Sequence, residues 1–126
     1  MSVGELSGLE ARLGHRFDNP DILRQALTHA SMTPVRIQSN ERLEFLGDRV
    51  LGLVIADFLW RRYPEEAEGA MSRRLVSMVR TETLALVGAQ IGVGSHLIMA
   101  PGEDSSGGRE SQSNLADSME AGSAPI

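Results

Sequence analysis

Between Asn40 and Asp48 the chain carries three carboxylates, Glu41, Glu44 and Asp48, at the head of a run that otherwise suits a helix buried by its neighbours. At about 100° per residue, the i, i+3, i+7 spacing puts all three within about 60° of one another on one helix face. Like charges three and four residues apart cost a helix a few tenths of a kcal/mol each, and no Lys or Arg of the helix shares their face. A divalent cation would offset that repulsion. From Val50 to Leu59 the residues are apolar around nearly the whole circumference, which predicts a helix enclosed by other helices, with the carboxylates crowning it. Gly47 and Gly52 each cost about 1 kcal/mol against Ala in a helix interior and point to close approach of a neighbouring backbone. The run is shorter than the roughly 20 apolar residues that span a bilayer. The plain alternative is a solvated acidic first turn that suits the helix dipole.

A second acidic pair lies far along the chain. Asn114-Leu115-Ala116-Asp117-Ser118-Met119-Glu120-Ala121 again sets two carboxylates at i, i+3, with Ser113 or Asn114 as the expected N-cap. Four or five carboxylates from two helices make an oxygen-only donor set. Such a set suits Mg²⁺ or Mn²⁺, hard ions that keep several waters and bind phosphate oxygens. A di-iron bundle would need Glu-x-x-His motifs, but the residues three before His15, His29 and His96 are Arg12, Ala26 and Val93. The chain has no Cys, which excludes thiolate-bound zinc and iron–sulfur clusters.

With these residues in place, Asn40-Glu41-Arg42-Leu43-Glu44-Phe45-Leu46-Gly47-Asp48 resembles the signature of the bacterial ribonuclease III endonuclease domain. Ala26-Leu27-Thr28-His29-Ala30-Ser31, Glu68-Gly69-Ala70-Met71-Ser72 and Leu115 to Ala121 resemble other stretches of that family in the same order, so the resemblance covers roughly residues 5–121. It implies an all-α, dimer-forming helical bundle that cuts double-stranded RNA with Mg²⁺, or Mn²⁺ in its place, leaving 5′-phosphate and 3′-hydroxyl ends. Glu44, Asp48, Asp117 and Glu120 match the family's catalytic carboxylates. Glu44 and Glu120 are the implied direct metal ligands, Asp117 with Asp48 completing the shell. Glu41 matches a position tied to the dimer contact and catalytic valley, and Glu68 one that helps place RNA. The implied partners are double-stranded RNA and a second copy of the chain, with no organic cofactor, and the implied role is rRNA and mRNA processing. A non-catalytic RNA-binding or dimerisation module is the alternative.

Composition constrains this reading. At 126 residues, with 41% hydrophobic and 4% aromatic content, the chain suits one small domain. A net charge of −5 has the wrong sign for a general phosphate binder, although bound divalent ions would reverse the local field. All twelve basic residues are Arg, which fits either bidentate phosphate contact or a compositional bias of the genome. No signal segment or membrane-spanning stretch is apparent, so the cytoplasm is expected and a membrane role is not.

Helices are expected throughout. They cover Leu6 to Leu13, Ile22 to Thr28 after the Asn19-Pro20-Asp21 cap, and Asn40 to Arg62 before Tyr63-Pro64. A single long helix follows from Gly69 or Ala70 to about Gln90, with Leu75, Met78, Val79, Leu84, Leu86 and Val87 available to the core and Gly92 and Gly94 closing it. Residues 101–108 read as a mobile loop. His29 is expected to be a hydrogen-bonded structural residue, Trp60 and Tyr63 to pack, and Arg73 and Arg74 to lie on a solvated face. The endonuclease domain is assigned to 1–121, incomplete at its C-terminal end, and 122–126 to an irregular tail. Gly122 and Pro125 predict that the second acidic helix stops after about two turns, leaving Asp117 and Glu120 on a fraying end.

Overall fold

A computed structural model describes residues 3–13 and 15–124. Its helices are α1 (Val3–Leu13), α2 (Pro20–Ala26), α3 (Glu41–Arg62), α4 (Glu68–Val79), α5 (Thr81–Ile91), α6 (Pro101–Ser105) and α7 (Gln112–Ser123), joined by short 3₁₀ turns. The all-α expectation holds: among the described residues the sole extended pairing is a bridge between Thr28 and Ile98. No described helix is long and apolar enough to cross a membrane.

Local chemistry sets several boundaries. Pro20 opens α2, where it needs no amide partner, while the Asn19 side chain accepts from the Asp21 N–H at 3.0 Å. Before α3, Ser39 and Asn40 are buried, and the Asn40 N–H donates to the Thr28 carbonyl at 2.9 Å, tying the helix start to the end of α2. At the other end Tyr63 leaves the helical region ahead of Pro64, as the proline requires. Gly92, at φ 78°, closes α5 in the left-handed conformation that favours glycine.

The core lies among α1, α2, α5 and α7 and the segment after α5: Leu9, Phe17, Leu23, Leu27, Ala85, Val93, Leu97, Met99 and Leu115. The single helix expected from residue 69 or 70 to 90 is instead broken at Arg80, whose ψ of 157° is extended. The Thr83 hydroxyl donates to the Ser77 carbonyl at 2.7 Å across the break. The division lets α4 pack on α3 while α5 turns onto α7, which one straight helix could not do. Of the residues expected in this core Leu84 is buried and Leu75 and Val79 are half-buried, but Met78, Leu86 and Val87 are exposed.

Residues 101–108 are not a mobile loop. They form α6 and a turn at Gly107, and Arg109 anchors the segment by donating to the Gly94 and Leu97 carbonyls at 3.0 and 2.7 Å while pairing with Asp104. Helix α7 is capped by Ser111, not Ser113 or Asn114, and runs for twelve residues to Ser123. Its buried Leu115, Ala116, Ser118 and Ala121 outweigh the cost of Gly122, so Asp117 and Glu120 sit inside a packed helix and not at a frayed end. Residues 122 and 123 of the expected tail are therefore helical; Pro125 and Ile126 lie outside the described residues.

The largest correction concerns α3. It is not enclosed: only Gly47 and Leu59 are fully buried, and Phe45, Leu53 and Trp60 are 65%, 72% and 70% exposed. Trp60 thus does not pack. An apolar circumference reports what a helix can bury, and here α4 and α7 cover one side only. Gly52 likewise faces open space, whereas a Cβ on Gly47 would fall 1.5 Å from the Glu120 carbonyl oxygen. Here α3 and α7 touch backbone to backbone. Gly47→Ala should therefore destabilise the fold by about 3 kcal/mol or more, while Gly8→Ala, which meets nothing within 4 Å, should raise stability by a few tenths to about 1 kcal/mol. Urea unfolding of the two variants checks this; equal stabilities would contradict the backbone contact.

Candidate active site

The Gly47 contact aligns the two acidic motifs. Glu44 faces Asp117 closely enough to share a side-chain hydrogen bond, and Asp48 and Glu120 feel one another's charge. Four residues onward along α3 correspond to three onward along α7, so the helices run in the same direction across the contact. The i, i+3 spacing of Asp117 and Glu120 therefore meets the i, i+4 spacing of Glu44 and Asp48 as a facing pair of rows. Glu41, Glu44, Phe45, Asp48, Arg49 and Glu120 line an open groove of about 520 Å³.

Electrostatics within this groove are strained. Burial, then the charge and hydrogen bond of Asp117, then Glu120 and Glu41 push Glu44 up to about 7. Burial, then Asp48 and Asp117, push Glu120 up to about 7. Asp117 is also raised, chiefly by burial and further by Glu41, against the opposing hydrogen bond from Glu44 and the charge of His29. Two rim carboxylates have partners that lie off the acidic face: Arg36, from the turn before α3, donates Nε to Glu41 Oε2 at 3.1 Å and Nη2 to Oε1, and Arg49 donates to Asp48 at 3.1 Å.

Glu68 does not join the groove. It accepts from the Ser72 hydroxyl at 2.8 Å and borders a separate apolar depression with Ala56, Leu59, Trp60 and Leu75. Arg74 forks onto Glu66 and stacks over the half-buried Tyr63 ring at 3.8 Å. His29 is hydrogen-bonded, as expected: its Nδ1 accepts from the Ser31 N–H at 3.0 Å, and its Nε2 lies 3.7 Å from Glu103. Glu103 in turn accepts from Asn114 Nδ2 at 3.0 Å, three residues before Asp117. This His29–Glu103–Asn114 link escapes sequence reading, because its members are far apart in the chain and share no periodic pattern. The Arg49 contact with Phe45 is an i, i+4 pair and could have been read. A larger depression of about 950 Å³ near His15, Arg16 and Asp18 shares no residue with the groove.

Comparison with known proteins decides the family. A profile described as Ribonuclease-III-like matches residues 19–124. The chain belongs to the ribonuclease III family. It is 48% identical over 118 residues to Ribonuclease 3 of Geobacter metallireducens, covering 90% of this chain and 48% of that protein. To Ribonuclease 3 of Dinoroseobacter shibae it is 47% identical over 117 residues, covering 93% of this chain and 51% of the relative. The chain thus spans about half the length of the curated relatives it matches. The nuclease domain of ribonuclease III from Campylobacter jejuni, described as structurally flexible in a region involved in dimer formation, superposes with a TM-score of 0.85 at 36% identity, over 90% of this chain and 78% of that one.

Among the described residues no three His, Asp or Glu side chains are set, as they stand, to hold a metal ion. The donors of this ribonuclease III family member nevertheless suit a hard divalent cation: all are carboxylate oxygens, and three of them are held above their ordinary pKa by burial and mutual repulsion. Because Glu44 and Glu120 bind protons more tightly in the folded chain than in the unfolded one, this contribution to stability is complete below about pH 4.5 and is lost as pH rises through about 7. A bound cation would take the place of those protons above that range. Thermal unfolding should show a larger Mg²⁺ stabilisation at about pH 8 than at about pH 5, with the difference reduced in Glu120→Gln; an equal gain at both pH values would contradict this.

Proposed function

We propose that the chain is the nuclease unit, residues 1–121, of a divalent-metal-dependent endonuclease that hydrolyses double-stranded RNA to 5′-phosphate and 3′-hydroxyl ends. The observation carrying this reading is the facing of Glu44 and Asp48 by Asp117 and Glu120 across the Gly47 contact, in a member of the ribonuclease III family. Glu44 and Glu120 would hold the cation, with Asp117 as a further ligand and Asp48 completing the shell. Mg²⁺, with Mn²⁺ as substitute, supplies the positive charge and Lewis acidity that phosphodiester hydrolysis needs at neutral pH. Glu44 and Asp117, sharing one hydrogen bond with Glu44 near 7, can hold a proton between their carboxyl oxygens. The ion pair with Arg36 orients Glu41 at the groove rim, and Glu68 helps place the duplex from outside it.

The active form is a homodimer. Phe45, Leu53 and Trp60 leave a broad apolar face of α3 uncovered beside the groove, a surface that a second copy would bury. Pairing there would set two grooves along one duplex. Cytoplasmic rRNA and mRNA precursors are the substrates that suit such an enzyme.

Incubation of the chain with long duplex RNA and Mg²⁺ tests the reading. Short 5′-phosphorylated fragments are expected, with cleavage lowered about 100-fold or more in Glu120→Gln and Glu44→Gln. Intact RNA in the presence of a folded dimer would favour a non-catalytic RNA-binding or dimerisation module instead. In sedimentation, Phe45→Ala should shift the chain towards monomer.

A further inference from the structure

Two arginines border the acidic groove, and they differ in what their guanidinium forks do. Arg36 spends its bidentate edge, Nε and Nη2, on the two oxygens of Glu41. Arg74, away from the groove, spends the same edge on Glu66. Arg49 does not. Its Nη1 donates to the Phe45 carbonyl at 3.3 Å and to Asp48 Oδ2 at 3.1 Å, and its guanidinium lies over the Phe45 ring, 4.1 Å from the centroid. These contacts fix the plane and leave the Nε and Nη2 hydrogens without an acceptor among the described residues. The side chain is 61% exposed and lines the groove with Glu44, Asp48 and Glu120.

We propose that the free fork of Arg49 is a phosphate-binding subsite of this groove, taking two oxygens of one backbone phosphate of the RNA strand that enters it. The inference rests on the RNA-cleaving function proposed above. A planar, pre-oriented fork matches two phosphate oxygens, whereas an ammonium offers only a point charge. The groove is otherwise walled by carboxylates and the Phe45 ring, so this fork is its ready contact for a polyanion. Asp48 supports the contact, holding Nη1 without consuming the bidentate edge. Arg49 touches substrate but no bond that breaks, so it governs binding of RNA and not the chemical step.

The test is steady-state cleavage of duplex RNA by the parent, Arg49→Ala and Arg49→Lys over a range of salt, with the oligomeric state of each measured by sedimentation. Arg49→Ala should raise KM about three- to tenfold with kcat nearly unchanged, and should flatten the dependence of log KM on log salt by about one phosphate contact. Arg49→Lys should restore the salt slope but only part of the KM. If the parent cleaves and Arg49→Ala leaves KM and slope unchanged, the subsite is overturned while the enzyme reading stands. A KM rise that follows loss of the dimer overturns it as well. A parent that does not cleave counts against the functional reading; the same three proteins in a duplex-binding assay then decide the subsite, with equal affinities and salt slopes overturning it.

Discussion

Helices α3 and α7 meet where Gly47 lies under the Glu120 carbonyl, with no room between them for a methyl group. Everything proposed for the groove follows from that approach. A bulkier residue would hold the helices apart and dissolve the pairing of Glu44 with Asp117 and of Asp48 with Glu120. The small Ala116, Ser118 and Ala121 on α7 are buried as well, and a Cβ on Gly88 of α5 would crowd the Met119 side chain at 3.2 Å from the other side. Close packing of small residues is thus used to force like charges together. Part of the folding free energy is stored as repulsion at one groove, where a cation can release it.

Much of this could be read from the chain itself. Both ends of helix α3 are legible to within a residue, because Pro64 and the carboxylate-rich first turn are local signals. Glu44, Asp48, Asp117 and Glu120 stand out by their i, i+3 and i, i+4 spacing. Other features depend on contacts that no local pattern records. The break at Arg80 answers the need of α4 and α5 to reach different partners, α6 forms from Gly- and Ser-rich residues that Arg109 and Asn114 anchor, and α7 outlasts Gly122 because Ala121 is buried. For α3, periodicity described the surface available for burial and was silent on what covers it.

The exposed face of α3 and the acidic groove adjoin at Phe45, which lines the groove and is itself 65% exposed. Arg49, stacked on that ring, joins the two surfaces physically. Association of two chains and formation of the RNA-binding rim would then be coupled through one aromatic ring and its cation. This also gives the net negative charge a local context. In the proposed function, repulsion of RNA by the acidic residues would be countered at the groove by bound cations and by a few well-placed guanidinium groups, with no need for a basic surface throughout.

The most direct test of the account is a crystal structure of the chain grown with Mn²⁺ and measured at the manganese absorption edge. An anomalous peak is expected in the groove within coordination distance of Glu44 and Glu120, with Glu44 and Asp117 no longer hydrogen-bonded to each other. Manganese bound elsewhere, or a groove still closed by the Glu44–Asp117 hydrogen bond at saturating Mn²⁺, would contradict it.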